Sequence, residues 1–270
     1  MTDFAAHRGA SRSAYPQALT VDDFRRNLAH VRQRIAQACA RSGRDPATVR
    51  LLPVSKTVDC ARVRLSCQAG CRELGENKVQ EAYRKWQALA DLPGLRWSAI
   101  GHLQTNKAHL VARLAHEFQA LDSLRLAEVL ERRLQVLGRG LDVFVQVNTS
   151  GEASKYGLAP AEVIRFVREL AVYPALRVRG LMTLAVFSPD VARVRQCFVL
   201  LRQLREQLRQ ELAGGAQMGQ LSMGMSGDME LAIEEGATVV RVGQAIYGAR
   251  ALPDSHFWPA PASADDLPEP

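Results

Sequence analysis

Lysine is nearly missing from this chain. Only five of its 35 cationic residues are Lys (Lys56, Lys78, Lys85, Lys107 and Lys155), and arginine carries the rest. Arginine keeps its proton, whereas a desolvated lysine amine can lose one and condense with a carbonyl carbon. Cysteine is equally scarce: five residues, no CxxC, and an odd count that argues against a disulfide framework. Cys67 and Cys71 sit four apart on an expected helix and read as core neighbours, with no His/Cys cluster of zinc spacing beside them. No apolar run reaches the roughly 18 residues that a membrane-spanning helix needs. The first nineteen residues lack the apolar stretch of a secretory signal. A reducing cytoplasm is the compartment these absences suggest.

The net charge of +7 raises the question of nucleic acid. The arginines, however, are spread over expected helices at 124–137 and 191–212, between Glu, Gln and Leu, as on solvated helix faces. No basic block is interleaved with aromatics, and no helix-turn-helix or finger motif occurs. Neither nucleic acid nor a membrane is an expected partner.

What is present is regular. An apolar fraction of 47% is ample for a core. Residues 1–19 read as a disordered extension and 251–270, with Pro253, Pro259, Pro261 and Pro268, as a mobile tail. Between them, over 20–250, Thr20 caps a helix reaching about Arg41, which Gly43 ends. Strands are expected at 50–55, 73–75, 96–100, 117–121, 142–146, 178–182, 220–222 and 239–242. Amphipathic helices fall between them at about 59–69, 78–90, 106–114, 124–137, 160–172, 190–212 and 228–235. Such alternation implies βαβ crossovers and a parallel sheet. Its length and repeat number suit a single-domain (β/α)8 TIM barrel. The open doubly wound alternative lacks a GxGxxG after its first strand.

Barrels of this kind gather their chemistry at the carboxyl ends of the strands. Lys56 closes the apolar run 49–56 at the first of these ends. A lysine snorkelling from a strand end would look the same, so this run alone leaves both readings open. Glu76 and Asn77 follow the second strand, His102 the third, Asp122 the fourth, Asn148 the fifth and Thr183 the sixth. After the seventh, Gly224-Met225-Ser226-Gly227 leads into a helix, where a hydroxyl and unpaired N–H groups favour a phosphate. Gly243-Gln244 after the eighth repeats the arrangement. The glycines could instead serve tight turns only. Arg241, in an otherwise apolar strand, calls for an anionic or acceptor partner, either within the protein or on a ligand. His102 is either a general base or a hydrogen-bonded structural residue. Lys155 and Tyr156 lie in a glycine-flanked loop, either exposed or reaching over the mouth. An imine-forming lysine across a mouth from a phosphate cradle points to a phosphorylated carbonyl compound. Pyridoxal phosphate and the sugar phosphate of a Schiff-base aldolase both fit.

Pro53-Val54-Ser55-Lys56, Gly75-Glu76-Asn77-Lys78-Val79-Gln80-Glu81, Gly101-His102-Leu103-Gln104-Thr105-Asn106-Lys107, Gln146-Val147-Asn148 with Lys155-Tyr156-Gly157, Gly180-Leu181-Met182-Thr183, Leu221 to Asp228 and Val240-Arg241-Val242-Gly243 occur in order over about 22–250. Together they resemble the pyridoxal phosphate homeostasis protein family. The resemblance implies the barrel of the alanine racemase N-terminal type and the cofactor pyridoxal 5′-phosphate. It also implies that Lys56 holds that cofactor as a Schiff base, that Ser226, Gly243 and Gln244 bind its phosphate, that Arg241 faces the pyridine nitrogen and that Asn77 lines the mouth. An arginine there disfavours a protonated ring and makes it a weaker electron sink. Gln244 stands where a small hydroxyl residue is usual, which leaves the backbone as the phosphate contact, and Tyr247 replaces a more usual Phe.

The related racemases add a β domain that supplies an opposing tyrosine, whereas only about 20 residues follow Gly248 here. The expectation is therefore a monomeric or weakly dimeric cofactor carrier, buffering pyridoxal phosphate or delivering it to apo-enzymes, without robust turnover. The alternative is a pyridoxal phosphate-dependent amino-acid racemase or related enzyme. Removal of residues 1–19 is expected to leave cofactor binding intact.

Overall fold

The computed structural model describes residues 15–212 and 217–249. Thr20 opens the first helix through a capping box: Asp23 N–H donates to Thr20 Oγ1 (3.1 Å) and Thr20 N–H to Asp23 Oδ2 (2.9 Å). This helix, α1 (Val21–Arg41), buries Phe24, Leu28, Val31 and Ile35 at helical spacing. Gly43 just beyond it takes φ 65°, the left-handed conformation that commonly terminates a helix.

Strands and helices then alternate: β1 (Arg50–Pro53), α2 (Cys60–Gln68), β2 (Glu73–Glu76), α3 (Val79–Ala88), β3 (Arg96–Ala99), α4 (Ala108–Leu114), β4 (Glu117–Leu121) and α5 (Leu124–Val136). The second half adds β5 (Leu141–Gln146), α6 (Val163–Glu169), β6 (Leu176–Met182), α7 (Val191–Glu211), β7 (Gln220–Ser222), α8 (Met229–Glu234), β8 (Val239–Val242) and α9 (Gln244–Tyr247). Each expected strand and helix has a counterpart. Helix α9 is additional, because four residues are too few to show a 3.6-residue period.

All eight strands run parallel in the order β1-β8-β7-β6-β5-β4-β3-β2. The remaining seam is spanned by a single bridge, Val54 to Gly75, with Ser55 N–H donating to Gly75 O at 3.1 Å. The result is the expected (β/α)8 barrel. Helices lay apolar stripes on its outside, such as Leu126, Leu130 and Leu134 of α5 and Phe198, Leu201 and Leu208 of α7. Each such side chain contributes about 1.5–3 kcal/mol on burial.

A line of hydrogen bonds threads the barrel interior. Arg241 NH1 donates to Ser222 Oγ (2.7 Å), Ser222 Oγ to Gln119 Oε1 (2.7 Å) and Gln119 Nε2 to Glu117 Oε1 (2.6 Å). Arg50 then joins Glu117 (2.5 Å) to Glu73 (2.8 Å) at the amino ends of the strands. Glu117 and Gln119 sit two apart on β4, so both side chains fall on one face of the strand.

The chain joins the barrel earlier than the expected 1–19 extension allows. Ala18 is fully buried, donates its N–H to Tyr247 O (3.4 Å) and accepts from Arg62 Nε (3.0 Å). Ala249 N–H donates to Tyr15 O at 2.8 Å, which ties the two ends of the described chain together. Composition hid this contact, since a small Ala and main-chain bonds make it. The rest of the extension, 1–14, and the expected tail, 251–270, lie outside the described residues. No described helix is long and apolar enough to cross a membrane.

Candidate functional site

Lys56 stands at the end of β1 beside the seam. Its neighbour Thr57 has φ 66°, a left-handed conformation that β-branched residues rarely adopt. The groups flanking Lys56 hold this turn. Thr57 N–H donates to Glu81 Oε1 (2.8 Å), while Ser55 O accepts from Lys85 Nζ (2.7 Å). Lys85, itself buried, also donates to Glu76 Oε1 (2.7 Å) and Glu81 Oε1 (2.8 Å), and Ser55 Oγ donates to Glu76 Oε1 (2.5 Å). Burial pushes the Glu76 carboxyl above its usual range, although Lys85 and Ser55 pull the other way.

Across the mouth, the loop after β7 and the first turn of α9 come together. Gly224 has φ 91°, and a Cβ there would lie 2.6 Å from Ala232 Cβ, so only glycine fits. Asp228 Oδ1 accepts Met225 N–H (2.6 Å) and closes the loop, and Ser226 Oγ accepts Ala245 N–H (3.3 Å), which docks it on α9. Ser226 O is fixed from outside by Arg34 NH2 (2.9 Å) and Tyr15 OH (3.3 Å). Within the first turn of α9, Ala245 N–H is taken by Ser226 Oγ and Ile246 N–H donates to Gly243 O (2.9 Å). A Cβ at Gly243 would come within 3.2 Å of Val54 O, which brings this turn close to the end of β1.

Arg241 of β8 is 3% exposed and bonds neutral acceptors, Ser222 Oγ (2.7 Å) and Thr183 O (2.7 Å). Burial brings its guanidinium down to about 10, with Asp228 holding it up, so it stays charged at neutral pH. Two bonds leave other donors of the guanidinium for a ligand.

Lys56, Asn77, Ser226, Arg241, Gly243 and Gln244, all singled out from sequence, line one cavity of about 140 Å³. Asn77 is pressed against the loop after β3: a Cβ on Gly101 would lie 2.2 Å from Asn77 O. Tyr15 and the segment Leu184 to Phe187 complete the walls. Sequence reasoning missed both: Tyr15 was placed in the extension, and the segment after β6 carries no chemical signal. His102 lies elsewhere, stacked on Tyr156 (centroids 3.8 Å apart, rings 7° from parallel) with Nδ1 3.7 Å from Asp122 Oδ2. Lys155 donates to Ala185 O (2.8 Å) and pairs with Glu152 (2.5 Å), so its loop folds over the mouth.

A parallel eight-stranded barrel with a lysine set against two glycine turns defines the alanine racemase N-terminal class, and the model of that domain family matches residues 22–251. This chain belongs, within that class, to the pyridoxal phosphate homeostasis protein family. It is 44% identical to the Pseudomonas aeruginosa pyridoxal phosphate homeostasis protein over 224 residues, which is 83% of this chain and 94% of that protein. The Escherichia coli K12 homeostasis protein is 40% identical over 232 residues, 85% of this chain and 98% of that one. Among solved structures, Synechococcus elongatus PipY with PLP bound aligns with TM-score 0.73 and 34% identity, covering 83% of this chain and 100% of its own. Clostridium difficile alanine racemase shares the fold at 15% identity and TM-score 0.66, the match covering 90% of this chain and 60% of the racemase.

Proposed function

We propose that this protein holds pyridoxal 5′-phosphate in the 140 Å³ cavity as a Schiff base of Lys56, and that it buffers the cofactor and delivers it to apo-enzymes in the cytoplasm. The observation that carries the reading is the meeting of an amine, a buried guanidinium and two glycine turns in one cavity. The donor set fits the group. Ser226, Gly243 and Gln244 offer a hydroxyl and first-turn N–H groups to a phosphate dianion. Arg241, still charged at neutral pH, presents only donors, so the ring nitrogen it faces must be an acceptor and stay unprotonated. Asn77 borders the cofactor at the mouth. The cofactor when bound supplies an aldehyde carbon with which an amine condenses, with loss of water. Lys56 supplies that amine, and the wired residues on either side of it fix where it stands. An arginine at the nitrogen makes the ring a weaker electron sink for carbanion chemistry.

The test is spectroscopic. Purified protein is expected to be yellow, and borohydride should bleach it and leave a reduced adduct on the Lys56 peptide by mass spectrometry. Lys56→Ala should abolish the visible band. Retention of that band unchanged in Lys56→Ala would overturn the assignment, and steady racemisation of an amino acid by the wild type would overturn the carrier reading.

A further inference from the structure

A second, larger chamber of about 670 Å³ opens on the other side of Lys56 and shares Lys56, Asn77, Ile100 and Leu184 with the first. Four of the chain's five lysines line it (Lys56, Lys78, Lys107 and Lys155), and no arginine does, in a chain with thirty arginines. The fifth, Lys85, is buried behind the end of β1 and bonds Ser55 O. Placing nearly every lysine around one opening concentrates compact ammonium groups there.

The charges do not cancel within the protein. Glu152 is the chamber's carboxylate, and Lys155 pairs with it at 2.5 Å. Lys78 and Lys107 have no carboxylate partner among the described residues. Gln146 adds an independent mark. The residue is 4% exposed and its Nε2 donates to Tyr156 O (3.1 Å), yet its Oε1 is buried with no donor among the described residues. A buried acceptor left unpaired has lost its hydration without replacement, and a ligand N–H or O–H would recover it. The stacked His102 and Tyr156 line a flat wall between these groups.

We propose that this chamber is a second ligand site, beside the cofactor cavity, for a small carboxylate that also carries an N–H or O–H donor. Its carboxylate would lie at Lys78 and Lys107 and its donor at Gln146 Oε1. An amino acid and a hydroxy acid share this chemistry. The amino acid alone brings an amine to Lys56.

Calorimetric titration tests the site with L-aspartate, L-malate and succinate, the last lacking the donor. Saturable binding of aspartate, malate or both is expected, with succinate at least fivefold weaker. Lys78→Met/Lys107→Met should weaken binding about tenfold while leaving the melting temperature and the visible band of the protein unchanged. Gln146→Leu should bring the better ligand down to the level of succinate. Binding of aspartate alone identifies the amino-acid source, and equal binding of both assigns recognition to the shared carboxylate and donor. Absence of saturable binding, or binding undiminished in the double lysine variant, would overturn the proposal. Repeating the titration on Lys56→Ala separates the two readings: carboxylate binding there stands even if the cofactor assignment fails.

Discussion

Lys85 donates to the main-chain carbonyl of Ser55 at 2.7 Å, immediately before the lysine on which the site turns. Through Glu81 the same ammonium also reaches the N–H of Thr57, immediately after it. The peptide on each side of Lys56 is thus tied to one buried cation. Lys85→Met would leave Glu76 and Glu81 without their counter-charge, and breaking such a buried pair costs about 3–5 kcal/mol. Urea unfolding should show that loss. Glu81→Gln, which keeps an acceptor for Thr57 N–H, should lose less, and equal losses would count against the wiring.

Gly224 and Gly227 make a contrasting pair in the loop after β7. At Gly224 an added methyl meets Ala232 in a left-handed backbone, whereas at Gly227 it meets nothing within 4 Å. Gly224→Ala should therefore lower stability by about 1–3 kcal/mol and weaken cofactor retention. Gly227→Ala should leave the melting temperature nearly unchanged.

The fold was largely legible because its strands are short apolar runs bounded by glycine and capping residues, all of them local signals. Lys56, Arg241 and the loop at Gly224 stood out for the same reason: an unusual residue type in an apolar run needs no knowledge of the fold. Lys85 did not stand out. Its partners Ser55 and Glu76 lie 30 and 9 residues away, and nothing in its own helix marks them. The wall built by Tyr15 was hidden too, because its contact with Ser226 spans 211 residues.

That contact reverses one expectation. Deleting residues 1–19 should weaken pyridoxal phosphate binding, since Tyr15 lines the cavity and its hydroxyl donates to Ser226 O at 3.3 Å. Tyr15→Phe removes only the intraprotein hydrogen bond to Ser226 O and keeps the ring in the cavity wall, so it should weaken binding less than the deletion does. Equilibrium dialysis of the cofactor against each variant checks both.

His116 gives the fold an acid sensitivity. Burial, assisted by Arg96, holds its imidazole below the usual value, and neither ring nitrogen has a hydrogen-bond partner among the described residues. The unfolded chain takes up this proton at a higher pH than the folded one. The stabilising contribution is therefore complete above the unfolded value of about 6.5 and is lost as pH falls below it through the lowered folded value. Melting temperature should drop across this window, and His116→Phe should flatten the drop. A profile unchanged in the variant would assign the sensitivity to another group.

The hydrogen-bonded line inside the barrel makes the two rims electrically one object. Glu117, near the closed end, is linked through Gln119 and Ser222 to the guanidinium at the mouth. Neutralising that carboxylate would let Gln119 turn, reorient the Ser222 hydroxyl and change what Arg241 presents to a ligand. The colour of the bound cofactor would then report on a residue it never touches, and the base of the barrel becomes a place from which its mouth can be tuned.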